Sequence, residues 1–160
     1  MRRLILLTFA VMGVLFAYSQ DVETQTPTKS PRSKYDVLDI KKIASMLIAE
    51  KKSGQIDDMP FVAYWESLGF QEDSSSSIYS HAYKLVVDNQ KPIIVQIVTQ
   101  DNERRFELSS KDHRLCWYLF IRLKDFGLKG SDSVARGKGL TAVAGADYLR
   151  ISYKLSPKVK

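Results

Sequence analysis

The stretch IYSHAYKLVVDNQKPIIVQIVTQDNERRFEL, residues 78–108, decides the fold. Strand side chains alternate between two faces, and hairpin pairing ties one strand's alternation to the next. Along the first segment Tyr79, His81, Tyr83, Leu85 and Val87 share a face, and Ser80, Lys84 and Asp88 fall on the other. Asp88-Asn89-Gln90-Lys91-Pro92 is rich in turn formers. Closing a hairpin there sets Val87 opposite Ile93, Leu85 opposite Val95 and Tyr83 opposite Ile97. A tighter turn at Asp101-Asn102 then sets Thr99 opposite Arg104, Ile97 opposite Phe106 and Val95 opposite Leu108. Both turns preserve one apolar face, so the segment reads as a three-strand antiparallel meander.

The flanking segments supply its cover. Ile40, Ile43, Ala44 and Leu47 recur at helical spacing in a helix expected over about Asp36 to Lys52, with Asp36 or Asp39 to cap it and Gly54 to stop it. A second helix follows Asp57-Asp58, with Pro60 in its first turn, the stripe Phe61, Tyr64, Trp65 and Leu68, and Gly69-Phe70 as its stop. Asp73 and the serines 74–77 form a loop into the meander. After it, Ser109 or Ser110 can cap a third helix with Asp112 in its first turn and Leu115, Leu119, Leu123 and Phe126 along one face, ended by Gly127-Leu128. The unbroken apolar run Leu115 to Ile121 fits a buried strand as well as a helix sandwiched by its neighbours. Lys129 to Gly139 reads as a mobile basic loop. A short strand at Leu140–Val143, a turn at Gly145-Ala146 and a strand through Leu149, Ile151, Tyr153 and Leu155 close the chain.

The order helix, Leu68-Gly69-Phe70, loop, hairpin has a faint echo in helix, Phe126-Gly127-Leu128, loop, hairpin. The loops differ in length and few side chains match, so it supports only a two-layer arrangement. The fold class is thus α+β: an antiparallel sheet of four to five strands with about three helices packed mainly on one face.

The 160 residues are 44% apolar and 26% charged, an ordinary globular balance for one core. Met1-Arg2-Arg3, the apolar run Leu4 to Phe16 and Ala17-Tyr18-Ser19 have the form of an export signal cleaved after Ser19. The apolar run falls short of the ~20 residues of a spanning helix, so no stable membrane insertion is expected after cleavage. Residues 20–34, polar and rich in Thr, Ser and Pro, read as a disordered tether before a single domain over 35–155, with a tail at 156–160. Losing Arg2 and Arg3 lowers the formal charge from +6 to +4, a mild basicity that points to no nucleic acid. The only cysteine, Cys116, can form no intramolecular disulfide, so the core alone must hold the fold.

Chemistry-bearing residue types are scarce. His113 and Cys116 stand three apart, a spacing open to a nucleophile and base, but Cys116 lies within an apolar run and reads as a small buried hydrophobe. No segment offers a metal-ligand set, and no cofactor is expected. The glycines of 129–139 miss the phosphate-cradling pattern: Asp132 stands where its first glycine belongs and Gly139 where Ser or Thr belongs. The register does place His81 opposite Thr99 and Thr99 opposite Arg104. That polar row is a candidate catalytic or anion-binding trio, an imidazole beside a guanidinium tending to stay neutral.

Helix, three-strand meander and helix, with Leu68-Gly69-Phe70 closing a helix and Ser80-His81 on the first strand, resemble the HicA-type RNA-cleaving toxins over a third to a half of the chain. The resemblance implies a catalytic His81. Tyr79 stands where that family has glycine, and the export signal points away from an intracellular RNA target. The expectation is therefore a non-enzymatic binding or adaptor protein of the bacterial envelope, periplasmic or extracellular, with a protein or glycan partner. The alternatives are a small hydrolase or nuclease-like enzyme using His81 and Arg104, and a glycan-binding module using aromatics of the second helix or Tyr148.

Overall fold

Asp39 decides where the first helix begins. Its extended backbone leaves the carboxylate free to accept the N–H groups of Lys41 at 3.0 Å and Lys42 at 3.3 Å. In the computed structural model, which describes residues 35–74, 80–86 and 91–156 and only the backbone of Ser80 and His81, helix α1 runs Ile40–Ser53 and ends on Gly54 at φ +70°. Helix α2 is Met59–Ser67 and helix α3 is His113–Asp125. Asp112, rather than Ser109 or Ser110, caps α3, its carboxylate accepting the Arg114 N–H at 3.1 Å. The apolar run Leu115–Ile121 is helical. Ile121 and Trp117 stand exposed while Leu115, Cys116, Leu119 and Phe120 are buried, so the run is not sandwiched all round. The expected signal and tether (1–34), serines 75–77 of the expected loop, Val87 with its expected pairing, residues 88–90 of the expected turn, and residues 157–160 of the tail lie outside the described residues.

Eight strands form one antiparallel sheet, not four or five: β1 Gln71–Glu72, β2 Ser80–Leu85, β3 Ile93–Gln100, β4 Glu103–Ser110, β5 Lys129–Gly130, β6 Val134–Gly137, β7 Leu140–Ala144 and β8 Tyr148–Lys154. Their order is β1-β2-β3-β4-β8-β7-β6-β5. The expected basic loop at 129–139 is instead two short strands, β6 turning into β7 through Lys138 and Gly139, both at positive φ. Asp101 and Asn102, at φ +54° and +59°, make the corresponding two-residue turn between β3 and β4.

That turn fixes the β3–β4 register as expected, with Thr99 paired to Arg104, Ile97 to Phe106 and Val95 to Leu108. The β2–β3 register is displaced by two residues: Leu85 pairs with Ile93, Tyr83 with Val95 and His81 with Ile97. A shift of two keeps every side chain on its face but moves it one row along. The expected buried row of Tyr83, Ile97 and Phe106 is therefore corrected to Tyr83, Val95, Leu108 and Leu149.

The chain holds the same unit twice. In α2, Phe70 N–H bonds Trp65 C=O and Gly69 N–H bonds Glu66 C=O; in α3, Leu128 N–H bonds Leu123 C=O and Gly127 N–H bonds Lys124 C=O. Both are Schellman closures, with Gly69 at φ +89° and Gly127 at φ +108°. Each helix then feeds a two-residue edge strand and a three-strand meander, β1–β4 in the first half and β5–β8 in the second. Followed through the ladders, the correspondence matches Gln71 with Lys129, Lys84 with Arg136, Ile94 with Thr141, and Ser109 with Ser152. It also matches Glu107 with Arg150, which pair with each other in the β4–β8 ladder, so a local twofold axis passes through that pair.

The core lies between one sheet face and the helices. Trp65 of α2 sits between Tyr83 and Phe106, ring centroids at 5.4 and 6.2 Å, each such contact contributing ~0.5–1.5 kcal/mol beyond burial. Leu119 and Leu123 of α3 and Ile43, Ala44 and Leu47 of α1 join the same cluster, together with Leu149, Ile151 and Ala142 of the sheet. Ala82, Val98 and Ser152, on the opposite sheet face, are buried but belong to no part of it.

Candidate functional site

Arg104 lies on the helix-covered face of β4 and is 1% exposed. Its Nη2 stands 3.0 Å from Glu50 Oε1 of α1 and 2.5 Å from Asp58 Oδ1 ahead of α2, and its Nε donates to Glu50 Oε2 at 3.3 Å. Its Nη1 donates to Thr99 Oγ1 at 2.8 Å, and the Phe61 ring lies 5.9 Å away. Every guanidinium nitrogen therefore has a partner. Glu50 Oε1 also accepts the Asp57 N–H at 3.0 Å. Asp58 gives up the capping role its position offers and pairs with Arg104. The cluster ties α1, the start of α2 and the sheet together, and its guanidinium is fully engaged within the protein.

Of the expected trio, Thr99 and Arg104 come together. His81 pairs by backbone with Ile97, one row away from them. Arg104, expected in a row open to an anion, is instead buried, and its partners Glu50 and Asp58 were missed because they come from distant segments.

Beside the cluster a groove of about 350 Å³ is lined by Glu50, Lys51, Ile56, Asn102, Tyr153 and Leu155. Burial, and then the neighbouring Glu50 carboxylate, push the Tyr153 phenol up to about 12. Lys51 Nζ donates to Gly139 C=O at 2.9 Å.

The other candidates are committed to structure. Cys116 is buried, and burial followed by Asp147 and Asp112 raises its thiol to about 11. His113 Nδ1 contacts the Ala146 carbonyl. In the second-helix stripe Phe61 and Trp65 are buried and the Tyr64 hydroxyl accepts the Asp39 N–H at 2.9 Å, whereas Tyr148 is 41% exposed. Among the described residues no group of three or more His, Cys, Asp or Glu is placed to hold a metal ion, and no helix is long and apolar enough to cross a membrane.

The sheet's second face carries a different arrangement. Alternation along β3, β4 and β8 sends Gln96, Glu107 and Arg150 there in one row. Glu107 holds the row: its Oε2 accepts from Gln96 Nε2 at 2.6 Å, and its Oε1 accepts from Arg150 Nε at 2.9 Å. Arg105 Nε lies 3.1 Å from the same Oε1, a charge contact rather than an aligned hydrogen bond, and Arg105 Nη2 donates to Gln100 Oε1 at 2.8 Å. Ile94 and Val143 are half-buried around this net and Tyr148 is exposed. The arrangement presents fixed charge and hydrogen-bonding groups on an otherwise partly apolar face. Its signal in the sequence was the polar half of each strand's alternation.

No family model matches the chain, and no match was found among the curated proteins or the solved structures.

Proposed function

We propose that this chain is an exported, non-enzymatic binding or adaptor protein of the bacterial envelope, and that the second sheet face holds its partner. One observation carries the reading: Gln96, Glu107, Arg150 and Arg105 form a fixed polar net at the centre of a sheet face opposite the helix-packed core. Fixed polar groups ringed by half-buried Ile94 and Val143 and an exposed Tyr148 have the composition of an interface, where Arg and Tyr are enriched and preorganisation limits the entropy lost on binding.

The test is capture from envelope extract by the mature protein, repeated with Arg150→Ala and, as a control on the helical side, Trp117→Ala. Loss of the captured partner with Arg150→Ala alone supports the reading. Equal capture by both variants removes it. A partner-free protein whose activity on a substrate panel disappears with His81→Ala would establish the enzyme reading in its place.

A further inference from the structure

The second face is unevenly charged. Lys84 on β2, Arg105 on β4, Arg150 on β8, Arg136 on β6 and Lys129 on β5 all point to it, against the carboxylates Glu103 and Glu107. Both carboxylates are already engaged: Glu107 by Arg150 and Arg105, and Glu103 by Arg105 at 3.8 Å. Among the described residues Lys84, Lys129 and Arg136 are in no ion pair. Lys129 and Arg136 are moreover direct cross-strand neighbours, an arrangement of like charges that destabilises a sheet until an anion lies between them.

Lys84 and Arg136 are counterparts in the two halves and both exposed, so they flank the central net on either side. Across the sheet five strand spacings separate them, about 24 Å at ~4.8 Å each, and their ladder rows meet β4 at Ser109 and Arg105, so they flank the net diagonally. Between them lie Ile94, Val143 and Val98 alongside the polar net.

We infer that this face docks an acidic polypeptide segment, its carboxylates engaging the Lys84 and Arg136 flanks and its apolar side chains resting on Ile94 and Val143. The inference rests on the binding-face reading and names the partner's chemistry. Charge complementarity selects an anionic partner. The interleaved apolar positions favour a polypeptide over a uniformly charged polysaccharide, which has no apolar side chains to place there.

The experiment measures fluorescence anisotropy of a labelled acidic peptide with leucines interspersed among its glutamates, bound to the mature protein, with polygalacturonate as the competing polyanion. Lys84→Glu with Arg136→Glu is compared with Lys52→Glu with Arg114→Glu, exposed positions on the helices that give the same net charge. The inference expects the face variant to lose at least about tenfold in affinity and the helix variant to keep it within about twofold, with binding of the native protein weakening steeply with salt. Should the face variant fail to fold by circular dichroism, Lys84→Gln with Arg136→Gln serves instead, with a smaller loss expected. Equal losses in both variants overturn the inference, as does tighter binding of polygalacturonate than of the leucine-bearing acidic peptide. Absence of acidic-peptide binding beside Arg150-dependent capture from extract overturns the acidic chemistry alone and leaves the binding face standing.

Discussion

Glu50 and Arg104 form an ion pair at 3.0 Å with side chains only 5% and 2% exposed, joining the last turns of α1 to the middle of the sheet. Removing Glu50 leaves the buried Arg104 guanidinium with Asp58 as its one carboxylate partner, and removing Arg104 leaves the Glu50 carboxylate buried without its cation, whereas Asp58, whose side chain is 35% exposed, can be hydrated when its pairing is lost. Glu50→Ala is expected to cost about 3–5 kcal/mol in urea unfolding, and Asp58→Asn about 1 kcal/mol. The double change Glu50→Leu with Arg104→Met should recover most of the loss, because it removes both charges together.

The paired Schellman closures make a second prediction. Gly69 and Gly127 hold φ values that an L side chain resists, although an added Cβ would meet only Leu85 Cδ1 at 3.9 Å in the first case and the flexible Lys138 chain at 3.3 Å in the second. The cost of alanine is therefore conformational rather than steric. Gly69→Ala and Gly127→Ala should each lose upwards of ~1 kcal/mol by chemical denaturation, with similar values for the two.

Alkaline pH tests the Tyr153 environment. A phenol of ordinary value near 10 that is held at about 12 by burial and Glu50 favours the protonated form only in the folded chain. Its contribution is fully present below about pH 10 and is lost as pH rises toward 12. Stability measured across that window should fall, and Tyr153→Phe should make the fall shallower. Tyr83 and Tyr118, also raised, by burial and by the Asp36 hydrogen bond respectively, leave a residual slope of the same sign.

Cys116 should be inert in the native protein. With its thiol raised to about 11 and its side chain buried, disulfide-exchange labelling at pH 8 is expected to run on the order of a hundredfold slower than in urea. Rapid native labelling would show that α3 opens readily.

What the sequence disclosed followed from local rules. The Asp101-Asn102 turn has two residues, so it fixed the β3–β4 register to the residue; the longer connection after β2 has no such constraint, and the pairing there came out two positions away. The strands β5 and β6 were hidden because Lys129-Gly130 and Val134–Gly137 are too short and too glycine-rich to alternate visibly. Thr99 and Arg104 were found together through that same turn. Glu50, 54 positions from Arg104, could be joined to it only by the fold. The repeat was audible in its glycine closures but masked by loops of unequal length.

The Glu107–Arg150 pair on the local twofold axis has one more consequence. Were the two halves separate identical chains related by that axis, each position on it would face its own copy, glutamate against glutamate or arginine against arginine. An attractive 2.9 Å contact between unlike residues is available there only because the halves differ in sequence. Covalent linkage of the halves lets each keep its own member of the pair, so the sheet's midline records their specialisation.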